Sequence, residues 1–296
     1  MTSMTMSRAL AGAALLLTGC SLLVSVDGLS GGAPSRDEPG APDGGVVEAK
    51  TDGRAPGSDA GDGGSVGATK SAYAREVLAD TPSIYLRFGD APGATAVKNE
   101  TGPLAATYPD QIALGTPGAL AGDPDTAITF EGGIIELPVG QECDGASECV
   151  LELWMRIEAI QDGYGWLVDH EVFDPRQGWL LQTLDGSLTF ERWSADHAAG
   201  AVYNQVTIAF HEWHHVAGVA DSNGMRLYYD GELREHHDGV VNPIPATKTK
   251  WTVGGTACFD CSGRSWYKGA IDELAVYEHS LTEERIKTHY AVGRGK

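Results

Sequence analysis

Two materials succeed each other along the chain. Between Gly28 and Gly67 the apolar residues keep no period, and the stretch holds 12 glycines and four prolines among Ser, Ala and Asp. Such a composition buries too little apolar surface to offset chain entropy, which predicts a disordered linker. From Tyr73 onward apolar and polar positions alternate with period two, the signature of half-buried strands. The alternation predicts strands over Ile84–Phe88, Ala127–Phe130, Ile134–Leu137, Val150–Ile157, Trp166–Val168, Trp179–Leu184, Leu188–Trp193, Trp213–Ala220, Met225–Tyr229, Trp251–Gly254 and Ala270–Tyr277. Asp185-Gly186 and Asp230-Gly231 are hairpin signals, because these tight turns need positive φ. A short helix from Tyr73 to Ala79 runs into Pro82, which cannot continue it. A second begins at Thr282 as N-cap, with Glu283 and Glu284 in the dipole-favoured first turn. Many strands with two short terminal helices predict an all-β fold, a two-sheet antiparallel sandwich.

The N-terminus reads as an address. Arg8 precedes an apolar run from Ala9 to Leu17, about 14 Å long as a helix and too short for a hydrocarbon core of ~30 Å, so it is expected to be a signal-peptide core. The run ends in Leu17-Thr18-Gly19-Cys20, which resembles a bacterial lipobox, where the cysteine is acylated and becomes the mature N-terminus. Ser21 in the next position resembles outer-membrane sorting in Gram-negative bacteria. The expected organisation is a lipoprotein signal peptide over 1–19, a lipidated Cys20 with a tether to residue 71, and one domain over 72–296. A flexible coil of about 50 residues would hold that domain on the order of 40 Å from the membrane.

Charge narrows the partners. The chain of 296 residues carries 41 acidic against 21 basic side chains, a net −20, and residues 71–296 hold 33 of the acids and 16 of the bases. Acidity that resides in the folded part excludes nucleic acid, whose affinity rests on clustered Lys and Arg, and disfavours anionic lipid surfaces. A cation partner is easier to accommodate.

Several blocks then carry a family resemblance. Tyr73-Ala-Arg-Glu-Val-Leu-Ala-Asp-Thr-Pro82 with Tyr85-Leu-Arg-Phe-Gly-Asp90, Leu151-Glu-Leu-Trp-Met-Arg156, Trp213-His-His-Val-Ala217, Arg226-Leu-Tyr-Tyr-Asp-Gly231, Gly269-Ala-Ile-Asp-Glu-Leu-Ala-Val-Tyr277 and Ser280-Leu-Thr-Glu-Glu-Arg-Ile286 occur in an order that resembles bacterial laminin-G-like, concanavalin A-like domains. The resemblance covers nearly all of residues 73–290 and implies a jelly roll. It implies no activity, since the fold serves lectins, adhesion modules and some glycosidases alike.

His211-Glu212-Trp213-His214-His215 matches the zinc-protease pattern H-E-x-x-H, but that chemistry needs a helix, and the following Val-Ala-Gly-Val-Ala reads as strand, where residues four apart lie ~13 Å from each other. Cys258-Phe-Asp-Cys261 with Cys143 and Cys149 could form a zinc site; beyond the inner membrane four cysteines are expected as two disulfides, with the local pairs Cys143–Cys149 and Cys258–Cys261 favoured among three connectivities. Asp272 alternates with Leu274 and Val276 and is expected to face inward, where an unpaired carboxylate is costly. The resemblance implies a structural calcium there, with Asp90 as second ligand; the alternative is a carboxylate that accepts backbone N–H bonds. The laminarinase signature E-x-D-x-x-E is incomplete on every strand, and no G-x-S-x-G elbow occurs. Trp193 and Trp266 are candidates for stacking a ligand or for plain packing, whereas Trp154 and Trp213 match positions of the family pattern and read as structural. The expected function is thus a non-catalytic, membrane-anchored module that binds a glycan or an envelope protein, with a polysaccharide hydrolase or a structural envelope protein as the alternatives.

Overall fold

The computed structural model describes residues 70–138, 142–159, 163–194, 200–204, 208–239, 244, 247–256 and 266–296. The expected signal peptide over 1–19, Cys20, the expected tether as far as residue 69, and Cys258 and Cys261 lie outside the described residues.

Among the described residues two helices and fourteen strands follow one another: α1 (Ala72–Ala79), β1 (Ile84–Leu86), β2 (Ile112–Pro117), β3 (Thr126–Phe130), β4 (Ile135–Glu136), β5 (Cys149–Ile157), β6 (Tyr164–Phe173), β7 (Arg176–Leu184), β8 (Ser187–Trp193), β9 (Gly200–Asn204), β10 (His214–Asp221), β11 (Gly224–Tyr229), β12 (Glu232–His237), β13 (Thr252–Val253), β14 (Gly269–Tyr277) and α2 (Glu283–Gly293). They form two antiparallel sheets. The larger runs β12-β11-β10-β5-β14-β3-β2, with β1 also paired to β14, and the smaller runs β4-β13-β6-β7-β8-β9. This is the two-sheet sandwich that the alternation predicts and the jelly roll that the resemblance implies. Both expected hairpin turns carry positive φ on successive residues, Asp185 (49°) with Gly186 (80°) and Asp230 (53°) with Gly231 (74°).

The sheets meet over an apolar core drawn from alternate positions. Leu151, Leu153, Met155, Val216, Leu227 and Ile271 of the large sheet face Leu167, Trp179, Leu181, Leu188, Phe190 and Val253 of the small one. Gly218 marks a close approach, since a Cβ there would come within 2.4 Å of the Phe190 ring. The outer face of the large sheet is apolar as well, and the terminal helices cover it: Tyr73, Val77 and Ile286 pack with Trp154, Tyr228 and Tyr277. Ser71 caps α1 by accepting from the Ala74 N–H, and Thr282 caps α2 by accepting from the Arg285 N–H.

One expectation of facing is overturned. Asp272 pairs across the sheet with Trp154, an outer-face residue, while Ile271 pairs with the core residue Met155. A bulge between Asp272 and Ala275, with Glu273 at φ 53°, inserts a residue and breaks the alternation. Leu274 and Val276 therefore face the core and Asp272 does not share their side.

Candidate functional site

The small sheet presents the chemistry. Its strands β6, β7 and β8 send Leu167, Trp179, Leu181 and Phe190 inward, so the alternate positions point away from the core. Across those strands the register aligns Trp166 with Gln182 and Thr189, Asp169 with Leu180 and Glu191, and Glu171 with Gly178 and Trp193. A bulge between Trp166 and Val168 puts Trp166 on the same face as Asp169. The result is a strip of carboxylates with aromatic rings at both ends, for Tyr164 stacks on Trp166 at 5.9 Å and Trp193 stands at the far corner. Trp193 takes the face its alternation predicts, but its neighbours Thr189 and Glu191 are buried rather than solvated.

Arg176 closes one end of this strip. Its Nε and terminal nitrogen donate to the two oxygens of Glu171, each at 3.0 Å, and the terminal nitrogen also meets Glu191 Oε2 at 3.3 Å. The two carboxylates thus lie no farther apart than a shared nitrogen allows. The guanidinium sits 3.8 Å above the Trp193 ring, whose Nε1 donates to Glu191 Oε2 at 2.9 Å. Gln182 Nε2 donates to Glu191 Oε1 at 2.8 Å, while its own buried Oε1 has no partner. Asp169 Oδ1 accepts the Glu171 N–H at 3.0 Å. Burial pushes the Asp169 carboxyl up to about 7 despite its hydrogen bonds. Burial, and then the charge of Asp169, push Glu171 up to about 8 against the pull of Arg176. These positions were invisible to motif reading, because three strands contribute them and only their register brings them together.

The other candidates are dispersed. Trp266 packs its ring against Gly255, beside β13, and β6 and β7 separate it from Trp193 on β8. In the H-E-x-x-H stretch His211 sits before β10 with its side chain 68% exposed, whereas His215 lies in the strand and is wholly buried. The two imidazoles share nothing, as expected of a strand. Trp154 is buried between Tyr73 and His215, and Trp213 lies beneath the Arg156 guanidinium at 5.1 Å, both packing roles. Cys143 and Cys149 form the expected local disulfide.

A second acidic cluster lies on the large sheet, beside a cavity of about 550 Å³ lined in part by Asp90, Asp123 and Asp125. Arg87 meets Asp123, Asp125 and Glu273 at 2.7, 2.8 and 2.9 Å, and Tyr85 donates to Glu273. Asp272 Oδ2 accepts the Ala119 N–H at 2.8 Å, but its buried Oδ1 has no partner. Burial, then the charge of Glu273, hold Asp272 well above the usual carboxylate range. Asp90 Oδ2 accepts from Tyr108 at 2.7 Å and from the Lys98 N–H at 3.1 Å. Among the described residues no three His, Cys, Asp or Glu side chains are grouped as metal ligands. The unpaired Asp272 oxygen and the surplus of carboxylate over guanidinium are nonetheless what a cation would relieve.

Comparison with known proteins places the fold. A laminin G family model described as the concanavalin A-like lectin/glucanases superfamily matches residues 131–287. No curated protein matches the sequence. Among solved structures, the botulinum neurotoxin serotype D ligand binding domain in complex with N-acetylneuraminic acid is similar at TM-score 0.57 and 14% identity, over 73% of this chain and 52% of that one. The binding domain of Paraclostridial Mosquitocidal Protein 1 gives 0.53 and 14%, over 69% and 52%. The botulinum neurotoxin type G receptor binding domain gives 0.52 and 9%, over 71% and 51%. The chain spans about half the length of these structures, and at such identities the likeness is one of fold. With the family model covering more than half of its length, the chain belongs to the concanavalin A-like lectin/glucanases superfamily.

Proposed function

We propose that the domain is a non-catalytic binding module for carbohydrate, presented outside the inner membrane by a lipid anchor at Cys20, and that its ligand lies on the outer face of β6, β7 and β8. The observation that carries this reading is the strip itself: Trp193 and the Tyr164–Trp166 pair flank the hydrogen-bonding groups Glu171, Gln182 and Glu191. Aromatic faces for sugar rings with a few convergent polar groups are what a glycan site requires. The serotype D neurotoxin domain, crystallised with N-acetylneuraminic acid, supports the choice of a glycan over other ligands. Trp266 stands apart from this strip and is proposed as a separate contact. Screening residues 1–296 and Trp193→Ala against a glycan array tests the reading; no sugar retained by the parent protein would rule it out and leave a structural envelope role.

A second reading is favoured by one observation. Glu171 and Glu191 reach a shared Arg176 nitrogen at 3.0 and 3.3 Å from the strands on either side of β7, close enough to be considered as a glycosidase carboxylate pair. A polysaccharide hydrolase would use Glu171, held protonated by its surroundings, as acid. Release of reducing ends, abolished by Glu171→Gln, would replace the binding reading with this one.

Calcium is proposed as a structural ion at Asp272 with Asp90, and Asp125, which lines the same cavity as Asp90, is proposed as a further ligand. The anchor places the protein in the cell envelope, at the outer membrane of a Gram-negative cell. Cys20→Ser should shift the protein from membrane to soluble fractions, and unchanged membrane association would refute the anchor.

A further inference from the structure

Three carboxylates on the β6–β8 strip stand in unequal company. Asp169, Glu171 and Glu191 are all buried, and one guanidinium, that of Arg176, bridges the latter two. The hydrogen-bonding capacity left over is acceptor capacity: Gln182 Oε1, buried to 1% exposure, faces no donor. A ligand with acceptors alone would add oxygen to oxygen here, and an anionic one would meet like charge. A ligand that brings a donor and a positive charge would complete the network.

The position for that charge is already marked. Arg176 is the outer layer, its side chain 29% exposed, above Glu171 at 1% and Glu191 at 5%. It combines two carboxylates below with an indole face at 3.8 Å, and a ligand ammonium is recognised by the same two elements. Gly178, between Glu171 and Trp193 in the register, contributes no side chain to obstruct the approach. From Tyr164 to Glu171 the strip runs roughly 20 Å along β6, at about 3.3 Å per residue; its middle is buried, and a sugar chain would meet it at the exposed Tyr164 and at Arg176.

We infer that the ligand of this face is a basic glycan, an oligomer of amino sugars with free ammonium groups, one of which joins or displaces Arg176 over Trp193 between Glu171 and Glu191, the Glu171 proton passing to solvent as the cation binds. The inference rests on the glycan reading of this face and adds the charge of the ligand.

Calorimetric titration of the full chain at pH 6 with glucosamine hexamer, N-acetylglucosamine hexamer, sialyllactose and tetralysine tests it. The glucosamine oligomer should bind about tenfold or more tightly than its acetylated counterpart, the scale of one charge-assisted hydrogen bond. Glu191→Gln and Trp193→Phe, mild changes whose folding circular dichroism verifies, should each weaken it, the first more strongly. Equal affinity for both hexamers, or tighter binding of sialyllactose, overturns the charge and leaves the glycan reading standing. Binding of tetralysine without the glucosamine oligomer overturns the glycan and keeps the cation. Binding unmoved by both substitutions overturns the site, and no binding of any sugar overturns the parent reading as well.

Discussion

His215 Nε2 lies 2.8 Å from Glu152 Oε1, and neither side chain touches solvent. The same carboxylate accepts from Tyr277 at 2.9 Å and meets His289 Nδ1 at 3.0 Å, while His289 Nε2 reaches Asp80 at 3.1 Å. One glutamate of β5 thereby joins β10, β14 and α2, and through His289 reaches the end of α1. Removing one partner of such a network leaves the others buried and uncompensated, at a cost of about 3–5 kcal/mol. Glu152→Ala should lose stability on that scale in urea denaturation, whereas exposed Glu284→Ala should stay within about 0.5 kcal/mol. A loss below 1 kcal/mol at Glu152 would show that the helices dock by apolar contact alone.

The buried ionisable groups set opposite pH limbs. Burial opposes charge on His289, but Glu152 and Asp80 outweigh it and hold the ring above its ordinary value. Its stabilising charge is complete below the unfolded value of about 6.5 and is lost as pH rises through the folded one. Glu152 is the reverse: its folded value lies well below the usual range, so its contribution is lost as pH falls below about 4.3. Glu171 and Asp169, raised to about 8 and about 7 by burial, favour their protonated forms, and the fold loses their contribution as pH climbs from about 4 through those values. The melting temperature should therefore peak between about pH 4 and 5 and decline toward pH 8.5, with Glu171→Gln flattening the alkaline limb. A melting temperature that rises between pH 6 and 8.5 would contradict the assignment.

Strands with one apolar face declared themselves in the sequence, and those without one did not. β12, Glu232-Leu-Arg-Glu-His-His, is exposed along its whole length at a sheet edge, so no alternation marks it. β2 carries Gly115 and Pro117, both strand-averse, and is also an edge. β6 was expected to end at Val168 because Asp169-His-Glu171 is polar, yet it runs to Phe173, its acids buried against Arg176 and their neighbours. The same substitution of network for apolar burial hid the candidate site. Its one local trace is the spacing of Asp169 with Glu171, and of Glu191 with Trp193, two apart and hence on one face of a strand. Which strands stand side by side is a property of register, and Glu171 meets Glu191 only across β7.

The Asp272 cluster yields a metal prediction. Its unpaired Oδ1, and the carboxylates of Asp123, Asp125 and Glu273 gathered on the single guanidinium of Arg87, leave negative charge unbalanced midway along β14. Calcium at about a hundred times its dissociation constant would add roughly 2.7 kcal/mol. For a domain of this size that corresponds to a rise of about 5–10 °C in melting temperature. Asp272→Asn should abolish the rise, and Asp90→Asn should reduce it if that residue is a ligand. Identical melting in calcium and in chelator would remove the ion from the fold.

The disulfide gives a prediction in which loop length and burial pull differently. Cys143 and Cys149 are six residues apart, a short loop whose closure removes about 2 kcal/mol of unfolded-state entropy. Loop length alone makes the bridge a local clip. Both cysteines, however, lie wholly within the inter-sheet core, Cys149 opens β5, and the Cys143 carbonyl accepts from Trp179 Nε1 at 3.3 Å. Breaking the bond frees two thiols in a packed interior and loosens the seat of a core tryptophan. The double variant Cys143→Ala with Cys149→Ala should thus cost about 2–4 kcal/mol and lower the melting temperature by about 5–15 °C. Near-ultraviolet circular dichroism should report altered packing of Trp179. A shift of 1–2 °C with that spectrum unchanged would return the bridge to the status of a loop clip.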